Sequence, residues 1–328
     1  MNINEIAKMA GVSRATVSRY LNQGYVSAAK KEQIRKVIEK TGYQPSSSAQ
    51  TLRSKRTNYI GVIIPKINSA SIARMVSGIS ETLSASGYQL LLACTDNNEN
   101  EELKYLNLFK ENHVDGIILL GTIFTPAHKK LMQLLAVPIV ILGQYAKGYS
   151  CVYQDDYSAA RSISEYMAGH ASKWGYLGVT DLDEAVGKNR KKGLLDALSA
   201  RKQSIADDAI KVCAFSLQSG YEQAKELLLS HPDLDTILCA TDTIAAGALK
   251  YITESGRRVP EDIQLAGIGD SNISLVTTPT LTTVHFYYKT SGIEATKALL
   301  AMIQNPEHAV NKELKLGYRI VENCSTRC

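Results

Sequence analysis

Two groups of side chains in this sequence could do chemistry. The first lies in GVSRATVSRYLN, Gly11 to Asn22, where Ser13, Arg14, Thr16, Ser18, Arg19 and Asn22 offer hydroxyls, guanidinia and an amide at helical spacing, with no carboxylate among them. Such a set suits phosphate oxygens and base edges, whereas an ordinary solvated helix mixes Glu with Lys on its outer face. The second group follows a series of apolar runs: Lys66, Asn68, Ser69 and Ser71, then Asp96, Gln144, Asp155 and Asp156, and later Arg190, Asp242 with Thr243, and Asp270. Taken singly, such Asp and Ser residues read as helix caps or solvated loops. Gathered at the ends of neighbouring strands, they would line a cleft for a polyol.

The usual marks of catalysis are missing. The chain contains no G-x-x-x-x-G-K-[ST], no G-x-S-x-G and no H-E-x-x-H, and GIGDSN keeps only the first two glycines of a dinucleotide loop. The six cysteines include no C-x-x-C pair and the six histidines are scattered, so neither a metal nor a cofactor is expected. No apolar run reaches the 18 residues of a membrane span, and MNINEIAKMA lacks the core of a secretion signal, which makes the cytoplasm the expected compartment and excludes a membrane partner.

The elements that must position these residues follow from local pattern. INEIAKMA places Ile3, Ile6, Ala7 and Ala10 at helical spacing, Gly11 breaks the run, and Ser13 offers an N-cap for a second helix. The reading is helix, tight turn, helix, closed from inside by Val12, Val17 and Leu21. A third helix in SAAKKEQIRKVIEKTGY would pack Ile34, Val37, Ile38 and Tyr43 back onto the first two. Charge agrees: residues 1–56 hold eleven Lys or Arg against three acids, while the remainder holds 26 against 29. A basic head on a mildly acidic body is the footprint of a nucleic-acid-binding module. Next comes QPSSSAQTLRSKRT, polar and basic except for Ala49 and Leu52, a segment that could fold on docking to DNA and set Leu52 against the bases.

From Tyr59 onward, ten apolar runs alternate with helical stretches such as ASIARMVSGISETLSASG and DTIAAGALKYITESG. That order predicts parallel sheets covered on both faces. A break near residues 154–158 divides them into two doubly wound lobes with a ligand cleft at the carboxyl ends of their strands.

The motifs INEIAKMAGVSRATVSRYLN, GYQPSSSAQTLRS, VDGIILLG, NRKKG, CATDTIAAGALK, PTLTTV and GYRIVENCSTR, in this order across nearly the whole chain, resemble those of LacI-family transcriptional regulators. The resemblance implies a helix-turn-helix headpiece over 1–45, a hinge helix over 46–57, and over 58–328 an α/β core of two doubly wound parallel-sheet lobes, like a periplasmic sugar-binding protein. It makes Ser13 to Asn22 the recognition helix, with Arg14 and Ala15 choosing bases and Asn4, Ser13, Thr16, Ser18, Arg19 and Asn22 anchoring or reading. Tyr43, Ser46 and Ala49 would lie along the DNA, and Leu52 would wedge into the minor groove of a palindromic, double-stranded operator. Ser46 and Gln50 depart from the Asn and Arg that many members carry in the hinge.

For the cleft, the resemblance adds Ile67, Ala70, Gly121 and Tyr288 to Lys66, Asn68, Ser69, Ser71, Gln144, Arg190, Asp242, Thr243 and Asp270. AKGYSCVYQDD and LQSGY are similar to regulators of trehalose phosphate, and SRYLNQGYVS and QTLRSKRT to sucrose regulators. The implied effector is a sugar or a disaccharide phosphate, the phosphate clamped between Lys66 and Arg190, with a neutral sugar as the alternative. The implied assembly is a homodimer that reads the two halves of the operator; no leucine heptad follows the core to build a tetramer. A sugar-binding receptor on the same core is the rival from another class, and it would lack the basic head.

Overall fold

The computed structural model describes residues 1–22, 24–43, 56–111 and 114–327. They form two units, Met1–Thr57 and Asn58–Cys328.

The first unit is helical: α1 (Ile3–Met9), α2 (Arg14–Leu21) and α3 (Ala28–Thr41). Asn2 opens α1 through a capping box with Glu5, and Gly11, at φ +63°, makes the left-handed turn that an L side chain resists. Ser13 then accepts from the Thr16 amide to start α2. Ile6, Val17 and Ile34 are wholly buried, one from each helix, with Val12, Leu21, Val37, Ile38 and Tyr43 packed around them. At roughly 1.5–3 kcal/mol for each buried aliphatic side chain, these three contacts hold a unit too small for a larger core. The head's three acids are all occupied: Glu5 in the capping box, Glu32 and Glu39 on the fork of Arg35.

In the second unit, β1 (Tyr59–Ile64), α4 (Ala70–Ala85), β2 (Gln89–Cys94), α5 (Glu99–Glu111), β3 (Gly116–Leu119), α6 (Pro126–Gln133), β4 (Ile139–Leu142) and β5 (Ser150–Gln154) build the first lobe. The second contains α7 (Asp156–Met167), β6 (Trp174–Gly178), α8 (Arg190–Ala200), β7 (Ile210–Val212), α9 (Leu217–Ser230), β8 (Thr236–Cys239), α10 (Asp242–Glu254), β9 (Gln264–Ala266), α11 (Asn272–Val276) and β10 (Thr283–Phe286). Then α12 (Tyr288–Gln304) and β11 (Glu313–Leu316) return to the first lobe, and β12 (Tyr318–Val321) pairs antiparallel with β10. The first sheet runs β11-β5-β4-β3-β1-β2 and the second β7-β6-β8-β9, every neighbour parallel.

Continuous apolar strands arise because both faces are covered. Ile60, Val62 and Ile64 face one core and Ile63 the other; Val140 and Leu142 alternate with Ile139 and Ile141 in the same way. Helices α4 and α12 approach until a Cβ on Gly78 would collide with the Lys289 carbonyl and one on Gly292 with that of Met75.

All ten expected strands are present. The structure adds β11 and β12, so the chain changes lobe at residues 154–156 and again after β10 and β11. Both added strands are short, with charged residues at Glu313, Lys315 and Arg319, and neither forms a continuous apolar run. The β10–β12 pair also departs from the all-parallel expectation.

Candidate functional site

Because β1, β5, β7 and β8 run parallel within their sheets, the helices that follow them start at the same ends as their loops. Between the lobes these ends enclose a cavity of about 380 Å3, within the range of small-molecule sites. Lys66, Asn68, Ser69, Ala70, Ser71, Gly121, Gln144, Arg190, Asp242, Thr243 and Tyr288 line it. Four expected residues do not. Asp96 is exposed in the turn after β2, and Asp155 caps α7 with Lys315 Nζ 3.2 Å from its Oδ2. Ile67 points to solvent at 68% exposure, and Asp270 is turned onto His285, its Oδ2 2.6 Å from Nδ1.

The first lobe contributes hydroxyls and an amide. Ser69 caps α4 without a side-chain bond and instead meets Ser71, Oγ to Oγ 3.0 Å. The Gln144 amide donates to the Gly121 carbonyl, so these two residues form one wall. Lys66 Nζ lies 3.4 Å from the Phe215 carbonyl and 4.3 Å from that ring's centre, and burial pulls its amine below the usual range.

The second lobe contributes a network. Six residues of π-helix, Glu184–Asn189, precede Arg190, and Gly187 lets this segment press on the Thr180 carbonyl, where a Cβ would collide. Arg190 thereby enters the cavity floor. Its Nε and Nη2 both lie 2.7 Å from Asp156 Oδ1, Nη1 donates to the Ala240 carbonyl at 2.5 Å, and the Phe286 ring lies 5.4 Å away. Burial pushes the Asp156 carboxyl up, to about 6, against the pull of Arg190. Asp242 accepts from the Thr283 hydroxyl and from the amide and hydroxyl of Ser271, so its carboxylate ties α10 to the loop after β9.

Lys66 and Arg190, the two ends of the expected phosphate clamp, line one cavity, and a guanidinium as buried as that of Arg190 requires a counter-charge, which Asp156 supplies. Arg74, Gln154, Asp183 and Phe215 also line the cavity and were not among the expected site residues. Helical spacing could have found Arg74, one turn after Ala70 on α4. Asp183, the N-cap of an irregular segment, left no such signal. Three cations (Lys66, Arg74, Arg190) face three carboxylates (Asp156, Asp183, Asp242), so the lining is balanced. Its paired donors and acceptors can hold a neutral polyol.

In the head, Ser13, Arg14, Ala15, Arg19, Asn22 and Asn4 are exposed, and Thr16 and Ser18 are half-buried. Ser13 and Thr16 hydroxyls lie 2.9 Å apart and the Asn22 amide donates to the Ser18 carbonyl, so three of the expected readers also shape α2. Tyr43 packs on the three-helix core. Ser46, Ala49 and Leu52, with residues 46–55 of the expected hinge helix, lie outside the described residues. Among the described residues there is no cluster of metal-ligating side chains, and no helix is long and apolar enough to cross a membrane.

Comparison with known proteins agrees with both units. Residues 2–46 match the model of bacterial regulatory proteins of the lacI family, and residues 166–326 a periplasmic binding protein-like domain. The sucrose operon repressor of Staphylococcus xylosus is 34% identical over 305 residues, 93% of this chain and 94% of that protein. Among solved structures, the complex of the transcriptional regulator CelR with cellobiose is similar at TM-score 0.76 and 26% identity, covering 99% of each chain. The lac repressor dimer bound to operator and the anti-inducer ONPF shares the fold at TM-score 0.91 and 22% identity, over 100% of this chain and 99% of that one. With this head and a relative so similar over almost its whole length, the chain belongs to the lacI family of bacterial regulatory proteins, which are DNA-binding transcriptional regulators and not enzymes.

Proposed function

We propose that this protein represses an operon for sugar use, reading a palindromic operator as a two-fold dimer and leaving it when a neutral sugar, of about disaccharide size, fills the cleft. The division of labour is residues 1–45 for reading DNA, 46–57 for the hinge and 58–328 for effector binding and pairing. The observation that carries the effector reading is the Asp156–Arg190 pair in a charge-balanced cavity: sugar hydroxyls both donate and accept, whereas a phosphate dianion would find the three cations offset by Asp156, Asp183 and Asp242. The names of the sucrose repressor and the cellobiose complex support a disaccharide. Exposed Leu91 and Leu92 on edge strand β2, and separately Leu275 and Val276 on α11, are apolar surface for a second copy to cover.

Operator and effector oppose each other through one coupling free energy, so each must weaken the other by the same factor. Arg14 and Ala15 read bases in the major groove while Asn4, Ser13, Thr16, Ser18, Arg19, Asn22 and Tyr43 position the helix, which lies between phosphates where a carboxylate would be repelled. The test is calorimetry on the full chain with sucrose, trehalose and cellobiose and their 6-phosphates, followed by operator anisotropy with each ligand that binds. Binding of a free disaccharide, with loss of operator, supports the reading. Preference for a phosphorylated sugar would overturn its neutral-effector part, and silence from every sugar, with operator binding intact, its sugar part.

A further inference from the structure

Arg74 reaches from one lobe to the other. From the first turns of α4 its Nη2 donates to the Gly269 carbonyl, 2.7 Å away, and its guanidinium lies 5.2 Å from the centre of the Tyr288 ring. We propose that Arg74 is a latch that holds the two lobes closed on each other, and that the loop after β9 is shaped to receive it.

Both ends are fixed independently of the bond between them. The donor stands on a helix seated against α12 through Gly78 and Gly292, with no room for slip. The acceptor belongs to a turn in which Gly269 has φ +141° and Asp270, which is not glycine, has φ +46°. A left-handed non-glycine residue is strained and persists only where its surroundings enforce it. Here they do: the Asp270 amide donates to Thr283 Oγ1 at 3.2 Å, the Gly269 amide to the Val284 carbonyl at 2.9 Å, and His285 holds the Asp270 carboxylate. The pair that removes Asp270 from the cavity lining therefore aims the neighbouring carbonyl at Arg74.

A latch must also open. Arg74 is only half-buried and gives up a backbone carbonyl rather than a buried carboxylate, so water or a ligand hydroxyl can replace the bond without leaving a charge stranded. Lys66, another cation from this lobe, makes a longer contact to the Phe215 carbonyl, 3.4 Å. Because Arg74 lines the cavity, whatever fills it competes for or reinforces this contact, which links occupancy to lobe closure. That consequence rests on the cleft being the effector site; the latch itself does not.

The test uses the full chain without sugar or DNA. Nitroxides are carried on p-acetylphenylalanine introduced at Lys129 on α6 and Glu222 on α9, both exposed, which leaves the native cysteines unlabelled. Labelled protein is diluted with unlabelled chain so that electron–electron double resonance reads distances within one subunit. Arg74→Met keeps an unbranched apolar stem of similar length and removes the donors. A longer-distance population should appear, with the open-to-closed ratio raised roughly ten-fold or more, and Arg74→Lys should fall between it and wild type. Asp270→Gly, which relaxes the turn and frees His285, should lengthen the distance from the other side. Arg74→Met and Asp270→Gly traces that superimpose on wild type would overturn the latch. Failure here leaves the sugar-repressor reading standing, and failure of that reading leaves these distances unchanged.

Discussion

Asp156 and Arg190, the first residues of α7 and α8, meet at 2.7 Å with their side chains 4% exposed. Each helix start thus depends on the other for its charge balance, and the pair stands in the floor of the cleft. Removing one partner strands the other in a medium that cannot solvate it.

Stability and binding should therefore separate at this pair. Arg190→Met is expected to cost about 3–5 kcal/mol in urea unfolding, and to abolish sugar binding. The double change Asp156→Leu with Arg190→Met should regain most of the stability and none of the binding. A single variant as stable as wild type would contradict the role given to the pair.

Glu102 gives the core a pH dependence. It is 4% exposed on α5, its Oε1 lies 3.3 Å from His128 Nε2, and burial, with a smaller contribution from Glu99, pushes its carboxyl up to about 7. The folded state therefore holds this proton more tightly than the unfolded chain. Its contribution to stability is complete below about pH 4.5 and is lost as pH rises through 7, by roughly 3 kcal/mol in total. Glu102→Gln removes the ionisation, so its stability relative to wild type should climb between pH 5 and pH 8. Parallel curves for the two proteins would show that Glu102 is not the group responsible.

Base reading and charge should separate in the head. Arg14 is exposed on the acid-free face of α2, and its change to Ala is expected to relax preference at one operator position, costing about 1–3 kcal/mol on the best sequence and less on others. Arg56→Gln should weaken all sequences alike and flatten the salt dependence. Anisotropy across single-base operator variants at two salt concentrations decides it, and equal losses on every variant for Arg14→Ala would exclude base reading.

The two units have separate hydrophobic cores, Ile6, Val17 and Ile34 in one and the strands with their covering helices in the other. A chain beginning at Asn58 should fold, keep its sugar affinity within about two-fold by calorimetry, and lose operator binding. Retained operator affinity would move the DNA site out of the head.

Much was legible in residues 1–43, where function depends on local order: Ser13 as cap, Gly11 as turn and Val17 as inward knob are all fixed by neighbours within one or two helical turns. The ten core strands were legible for a related reason, since a strand buried on both faces must be apolar throughout, as Ile60 to Ile64 are. Spacing could also bring Lys66, Ser69, Gln144 and Arg190 to the ends of those strands, and so to one cleft. What each side chain does there was not in the sequence. Asp156 and Arg190 are 34 residues apart, Arg74 and Gly269 are 195 apart, and Asp270 and His285 belong to different elements. Only the folded lobes decide that Arg190 takes Asp156 as its counter-charge, that Asp270 aims a carbonyl instead of facing the cavity, and that Arg74 crosses the cleft, because a charge takes its partner from whatever burial places beside it and no local pattern records that choice.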